Sequence, residues 1–183
     1  MAQAVPAGGG GDVQWVTAGE GIVHSEMFPL LKTDEANPLE LFQIWLNLPA
    51  RSKMVEPYFT MFWSDAIPRV TQLDANGLGT EVTVVAGRLP TAPQVVPLAP
   101  PPNSRAAQAD ADLAIWTVTM APGARWTLPA AAGKGTRTVA SYDEDGLTHE
   151  EFTGYGATTR TLRQFLQHSP ADLLAELIPV AVH

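Results

Sequence analysis

Along most of this chain apolar and polar residues alternate with the period of a β-strand rather than that of a helix. The pattern begins at Asp12–Val16, where two valines and a tryptophan alternate with polar residues. The glycines of "TAGEG" then supply a sharp turn into a second extended run, Ile22–Met27. In "LELFQIWLNLP" the residues Leu39, Leu41, Gln43, Trp45 and Asn47 fall on one face of a strand. Glu40, Phe42, Ile44, Leu46 and Leu48 fall on the other. Both faces are largely apolar, which predicts a central strand ended by Pro49. "PYFTMFWSDAIPRV" follows, and "TEVTVVAGRL" alternates again after the turn "DANGLG". Four or five strands separated by turn signals, with no amphipathic helix among them, predict an antiparallel all-β unit.

The pattern breaks in "LPTAPQVVPLAPPPNSRAAQ", because proline cannot donate to a ladder, and the stretch reads as an extended connector. "LAIWTVTMAPGARWTLPA" and "TRTVASYDEDGL" then resume strand and turn, which predicts a second all-β unit. The end differs. Leu162, Phe165 and Leu166 recur at helical spacing, and "SPADLLAELI" opens with Ser169 as an N-cap and Pro170 at the first helical position. A short helical tail is the expectation there.

Composition narrows the chemistry. The 183 residues carry a formal charge of −8 and no Lys/Arg-rich run, so direct binding to nucleic acid is disfavoured. There is no cysteine, which leaves His, Asp, Glu or water to hold any metal. No apolar run reaches the roughly 20 residues of a membrane helix, and "MAQAVPAGGGG" lacks the pattern of a secretory signal. The cytoplasm follows by elimination, with the nucleus open to a eukaryotic chain.

His24 and Glu26 are the candidate functional pair. At i, i+2 on a strand their side chains share a face, with Cβ atoms roughly 7 Å apart, close enough to reach one ion. A metal such as Fe(II) accepts imidazole with carboxylate and calls for at least three protein ligands. The competing reading is a rim pair worth a fraction of a kcal/mol. His149, His168 and His183 read as solvent-side residues. Trp45, Trp63, Trp116 and Trp126 read as core; Asp12 reads as a turn carboxylate, Gln14 as an edge amide and Trp15 as a buried indole. Gly19 and Gly21 are placed to take positive φ in the turn before His24, while Asp74 and Asn76 lack the spacing of a calcium loop.

"GDVQWVTAGEGIVHSEM" followed by "LFQIWLNLPARSKMVEPYF" closely resembles the pirin family of the cupin superfamily, strongly over Gly11 to about Val70 and more loosely over about Glu81 to Gly154. The resemblance implies a cupin-type β-barrel fold, with two barrels in tandem and one Fe(II) site in the first. The implied boundaries are a lead over 1–10, a first cupin unit over 11–88, a linker over 89–107, a partial second unit over 108–156 and a divergent tail over 157–183. Two of the family's four ligands map onto His24 and Glu26. The other two form an H-x-H pair upstream of the G-D-V-Q-W run, which this sequence does not contain. The resemblance therefore implies an incomplete bicupin, shortened at both ends, whose Fe(II) is lost or weakly held.

Three functions follow from that resemblance. One is a quercetin 2,3-dioxygenase-type oxygenase acting on a flavonol-like aromatic substrate, with Glu26 as both ligand and proton acceptor. Another is an iron-responsive transcriptional co-regulator that binds a protein partner. The third is a shortened pirin without metal. A barrel lacking strands also exposes an unpaired edge, which predicts pairing with a second copy.

Overall fold

Strand β2 (Val13–Thr17) forms where the sequence alternates, and all five of its residues are buried. The structure, a computed structural model, describes residues 5–6, 10–27, 30, 32–37, 40–129, 136–143, 146–153 and 175–182. Its strands before β2 and after it are β1 (Val5–Pro6), β3 (Glu26–Met27), β4 (Glu40–Asn47), β5 (Tyr58–Phe62), β6 (Arg69–Leu73), β7 (Gly79–Ala86) and β8 (Ile115–Met120). Further along lie β9 (Thr136–Asp143), β10 (Gly146–Thr153) and β11 (Ala175–Val182). Among the described residues the only helical elements are short 3-10 turns at Ala50–Ser52 and Arg105–Ala107. The all-β expectation holds.

Two compact units emerge, one built from Met1–Pro129 with Leu174–His183 and the other from Ala130–Leu173. Within the described part of the second, β9 and β10 form one antiparallel hairpin, Thr153 opposite Thr136 and Gly146 opposite Asp143. The first unit holds a four-stranded sheet in the order β4-β11-β2-β5 and a three-stranded sheet in the order β6-β7-β8.

Both sheets are antiparallel, and two apolar clusters fill the unit. Val13 and Trp15 from β2, Phe62 from β5, Ile67, Val85, Ala86 and Ile115 make the first, with Ile44 and Leu46 of β4 packed against it. Trp15 and Phe62 meet with ring centroids 5.9 Å apart and tilted by 52°, within the range of favourable aromatic pairs. Val82 and Val84 make the second cluster with Leu89 and Ala92. An irregularity in the β7–β8 ladder between Val84 and Ala86 explains how one strand serves both. The extra residue breaks the strict alternation, so Val84 packs in one cluster while Val85 and Ala86 pack in the other.

Several expectations are corrected. Over 175–182 the tail is strand, not helix: β11 lies between β4 and β2, pairing Leu177 with both Trp45 and Val16. Two open ladders outweigh a weak helical periodicity that offers this segment no packing partner. The proposed cap at Ser169, and His168 and His183, lie outside the described residues. Among the described strands β4 ends its sheet instead of sitting centrally, and Trp45 is 41% exposed because nothing described covers that face as Ile44 and Leu46 are covered. Trp63 is 47% exposed as well, whereas Trp116 and Trp126 pack against the second cluster.

Gln14 is buried on an interior strand, not at an edge. Val5–Pro6, read as part of a flexible lead, pairs in parallel with Glu26–Met27.

Residues 89–107 do more than connect. Leu89 and Ala92 are buried, and Leu98 and Ala106 pack on the first cluster. Prolines remove ladder donors but favour tight turns, and backbone bonds from Ala92 to Leu89 and from Ser104 to Pro101 fold the arm back over the sheets. The Ser104 hydroxyl accepts the Ala107 N–H and caps the 3-10 turn that follows. β8 then pairs with β7, so the first compact unit runs on through Pro129, past the boundary at 88 implied by the resemblance.

Candidate metal centre

The site is built from the turn that follows β2. Gly19 has φ +51 and Gly21 φ +131, backbone conformations that L side chains rarely adopt, as the sequence predicts. Gly19 is also needed for space: a Cβ there would run into the backbone carbonyl of Val55. The close approach lets the Glu20 N–H donate to the Val55 oxygen at 3.0 Å, while the Gly21 N–H closes the turn on Ala18 at 2.9 Å. The loop carrying His24 is thereby tied to the segment after the Ala50–Ser52 turn. Sequence reasoning found the two glycines but not this tie, because its partner is more than thirty positions away.

Behind β2, Asp12 is buried and its carboxylate accepts the Ser64 N–H at 2.7 Å. Arg69 secures the same corner, donating to the Ser64 carbonyl at 2.8 Å and to its hydroxyl at 2.7 Å. Both ends of β2 are fixed, one by a buried carboxylate and the other by the glycine turn.

His24 follows that turn on backbone without regular structure, half-buried, with its Nδ1 shielded from solvent. Its neighbour Val23 is 83% exposed. The strand expected over 22–27 is regular only at Glu26–Met27, so the shared strand face argued for His24 and Glu26 does not arise as a ladder. The reason is local. β1 offers two residues, one of them Pro6 without an N–H, and cannot template a longer partner. Glu26 itself is placed by its backbone, opposite Val5. His149 falls on β10 of the other unit, opposite Ala140.

Asp74 is accounted for by structure. Its carboxylate accepts the backbone N–H groups of Asn76 at 2.8 Å, Leu78 at 3.0 Å and Arg125 at 3.0 Å. Those bonds, Leu78 foremost, hold its pKa below the ordinary aspartate value against the opposing effect of desolvation. Asp110 is likewise lowered, chiefly by its hydrogen bond from Arg105, with Arg51 adding attraction. Both carboxylates are tied into loop contacts.

The pirin family profile matches residues 5–46, which take in β1 to β3, all but the last residue of β4 and the whole His24–Glu26 run. Over this segment the chain is similar to pirins.

Pirin-1 of Arabidopsis thaliana is 48% identical over 77 residues, 42% of this chain and 23% of that protein. A pirin-like protein of Caulobacter vibrioides is 41% identical over 83 residues, 45% of this chain and 27% of its own length. A Pseudomonas aeruginosa protein named "putative quercetin 2,3-dioxygenase" is 41% identical over 80 residues, 44% of this chain and 27% of that one. The chain thus spans about a quarter of the length of these relatives. No solved structure matches it. The pirin domain is of cupin type, in keeping with the all-β architecture here, and the family binds metal. Among the described residues no helix is long and apolar enough to cross a membrane.

The family implies a metal ion, which needs a set of donor side chains. Among the described residues no three His, Asp or Glu side chains are grouped where they could hold an ion. His24 and Glu26 bring one imidazole and one carboxylate, short of the three protein ligands such an ion calls for. The described residues do not by themselves fit a resident metal ion.

Proposed function

We propose that this chain is a pirin-like cupin protein in which His24 and Glu26 form an incomplete metal site. The observation that carries this reading is the pirin match across the His-Ser-Glu run, set beside the lack of a third donor among the described residues. Two donors leave most of the coordination sphere to water, so affinity rests on one imidazole and one carboxylate held by a short loop. A quercetin 2,3-dioxygenase-type activity on a flavonol-like substrate, suggested by the name of the Pseudomonas relative, needs donors beyond these two. Weak metal binding is the function these two donors support.

Anaerobic reconstitution with Fe(II), followed by metal analysis and oxygen uptake with quercetin, tests it. The expected result is well under one iron per chain, lost on dialysis, abolished by His24→Ala, with no quercetin-dependent oxygen uptake. Stoichiometric iron that survives dialysis and supports uptake would overturn the reading in favour of the oxygenase. Weak iron retained by His24→Ala would remove His24 from the site.

A further inference from the structure

β11 is the one described strand of the first unit that reaches its sheet from beyond the second unit. It fills an interior slot, its residues 175–182 antiparallel to β4 over their full length and, at three positions, to β2. Its hold is weakened by its own sequence. Pro179 sits opposite Gln43, in a strand flanked on both sides, and offers no N–H to either neighbour. The pairing with β2 is correspondingly interrupted, skipping from Leu177–Val16 to Val180–Val13. Proline is normally confined to sheet edges, so an interior strand with one in its middle is a poorly anchored occupant.

The slot, by contrast, requires an occupant. Without β11 both β2 and β4 present unpaired backbone on the facing side, and two adjacent open edges are a strong template for an extended segment. Residues 154–174 separate β11 from β10, a length of chain that spans on the order of 70 Å when extended. By length alone the covalent link does not dictate which copy's sheet receives the strand, and exchange of identical elements between copies costs little because the same pairs are remade.

We propose that the slot between β2 and β4 is a strand-exchange site that accepts β11 from a second copy of this chain as well as from its own. The partner is chemically defined: an eight-residue, largely apolar strand, "AELIPVAV", laid antiparallel to both neighbours in the register of Leu177 with Trp45 and Val16. The inference concerns association and stands independently of metal binding at His24.

The absence of cysteine from the chain permits a clean test. Two full-length variants, Trp45→Cys and Leu177→Cys, place one thiol each on facing positions of β4 and β11. They are unfolded together, refolded between about 10 μM and about 1 mM, a range that rises toward the millimolar order typical of intramolecular effective concentrations, and then oxidised. Exchange predicts a covalent heterodimer on a non-reducing gel, with a yield rising at least tenfold across the series. The doubly substituted chain should close its disulfide within one molecule at the lowest concentration, since cross-strand pairs meet disulfide geometry.

Pairing Leu177→Cys with Leu73→Cys, whose thiol replaces a 70% exposed residue on β6, reports random collision. A heterodimer yield no higher than this control, with the double variant closing internally, overturns exchange. A double variant that fails to close overturns it too, by showing that β11 does not occupy the slot.

Discussion

Replacing Gly19 by alanine tests how the His24 loop is held. The new Cβ meets the Val55 carbonyl at a φ of +51, so two separate costs arise. The left-handed backbone costs an L residue about 1 kcal/mol. Relieving the clash means moving the Val55 carbonyl or the turn, which breaks the 3.0 Å bond from the Glu20 N–H and forfeits about 1 kcal/mol. Displaced backbone around it adds roughly 1 kcal/mol more. The sum is about 3 kcal/mol, a drop in Tm of about 6–12 °C for a chain of this size.

Gly77→Ala supplies the comparison. Its φ of +77 carries the same conformational cost, but a Cβ there meets nothing within 4 Å. That substitution should cost only about 1 kcal/mol, or about 2–4 °C. Thermal melts followed by circular dichroism read both, and amide hydrogen exchange at Glu20 reports whether the bond to Val55 has gone. Equal Tm shifts for the two variants, or unchanged protection at Glu20 in Gly19→Ala, would refute the claim that close approach makes this glycine necessary.

Other outcomes follow from the same contacts. Trp15→Ala removes a fully buried indole and should cost about 3–5 kcal/mol, whereas Trp63→Ala, at a side chain 47% exposed, should cost much less; urea melts of the pair decide whether the cluster around Phe62 is the true core. Asp12→Ala strands the Ser64 N–H and should destabilise by about 1.5–3 kcal/mol; Asp12→Asn keeps an acceptor, so equal losses in the two variants would argue against that hydrogen bond. The Asp74 carboxyl titrates below its ordinary value when folded, so its support of the 74–78 and 121–125 turns is complete above the ordinary aspartate pKa and fades as pH falls through the lower folded value. The amide resonances of Leu78 and Arg125 should shift together over that acid range and stay still in Asp74→Asn; independent shifts would dissolve the proposed link between the two turns.

Local pattern alone was enough for a good part of this molecule. Alternation named β2 and β4 within a residue or two and found the segment that holds β7, since side chains on a strand point to opposite faces whatever it pairs with. Gly19 and Gly21 announced positive φ because few other residues take it cheaply, and the His-Ser-Glu run announced its similarity to pirins. What escaped were properties that depend on a partner elsewhere in the chain. β4 looks central by composition, yet its position was decided by which strands remained to pair with it. Residues 89–107 look like a tether, yet Leu89, Ala92, Leu98 and Ala106 had two clusters within reach and folded onto them.

The tail carried a faint helical period but met two open strand edges, and ladder bonds made across the chain prevailed over a local preference worth tenths of a kcal/mol per residue. The sequence by itself therefore determined the class of fold, the turn chemistry and the two candidate donors. Tertiary structure alone decided strand order, the occupant of the slot beside β2, and the tie between Glu20 and Val55 that holds the His24 loop. These are pairings between distant residues, and their energy belongs to no single stretch of chain.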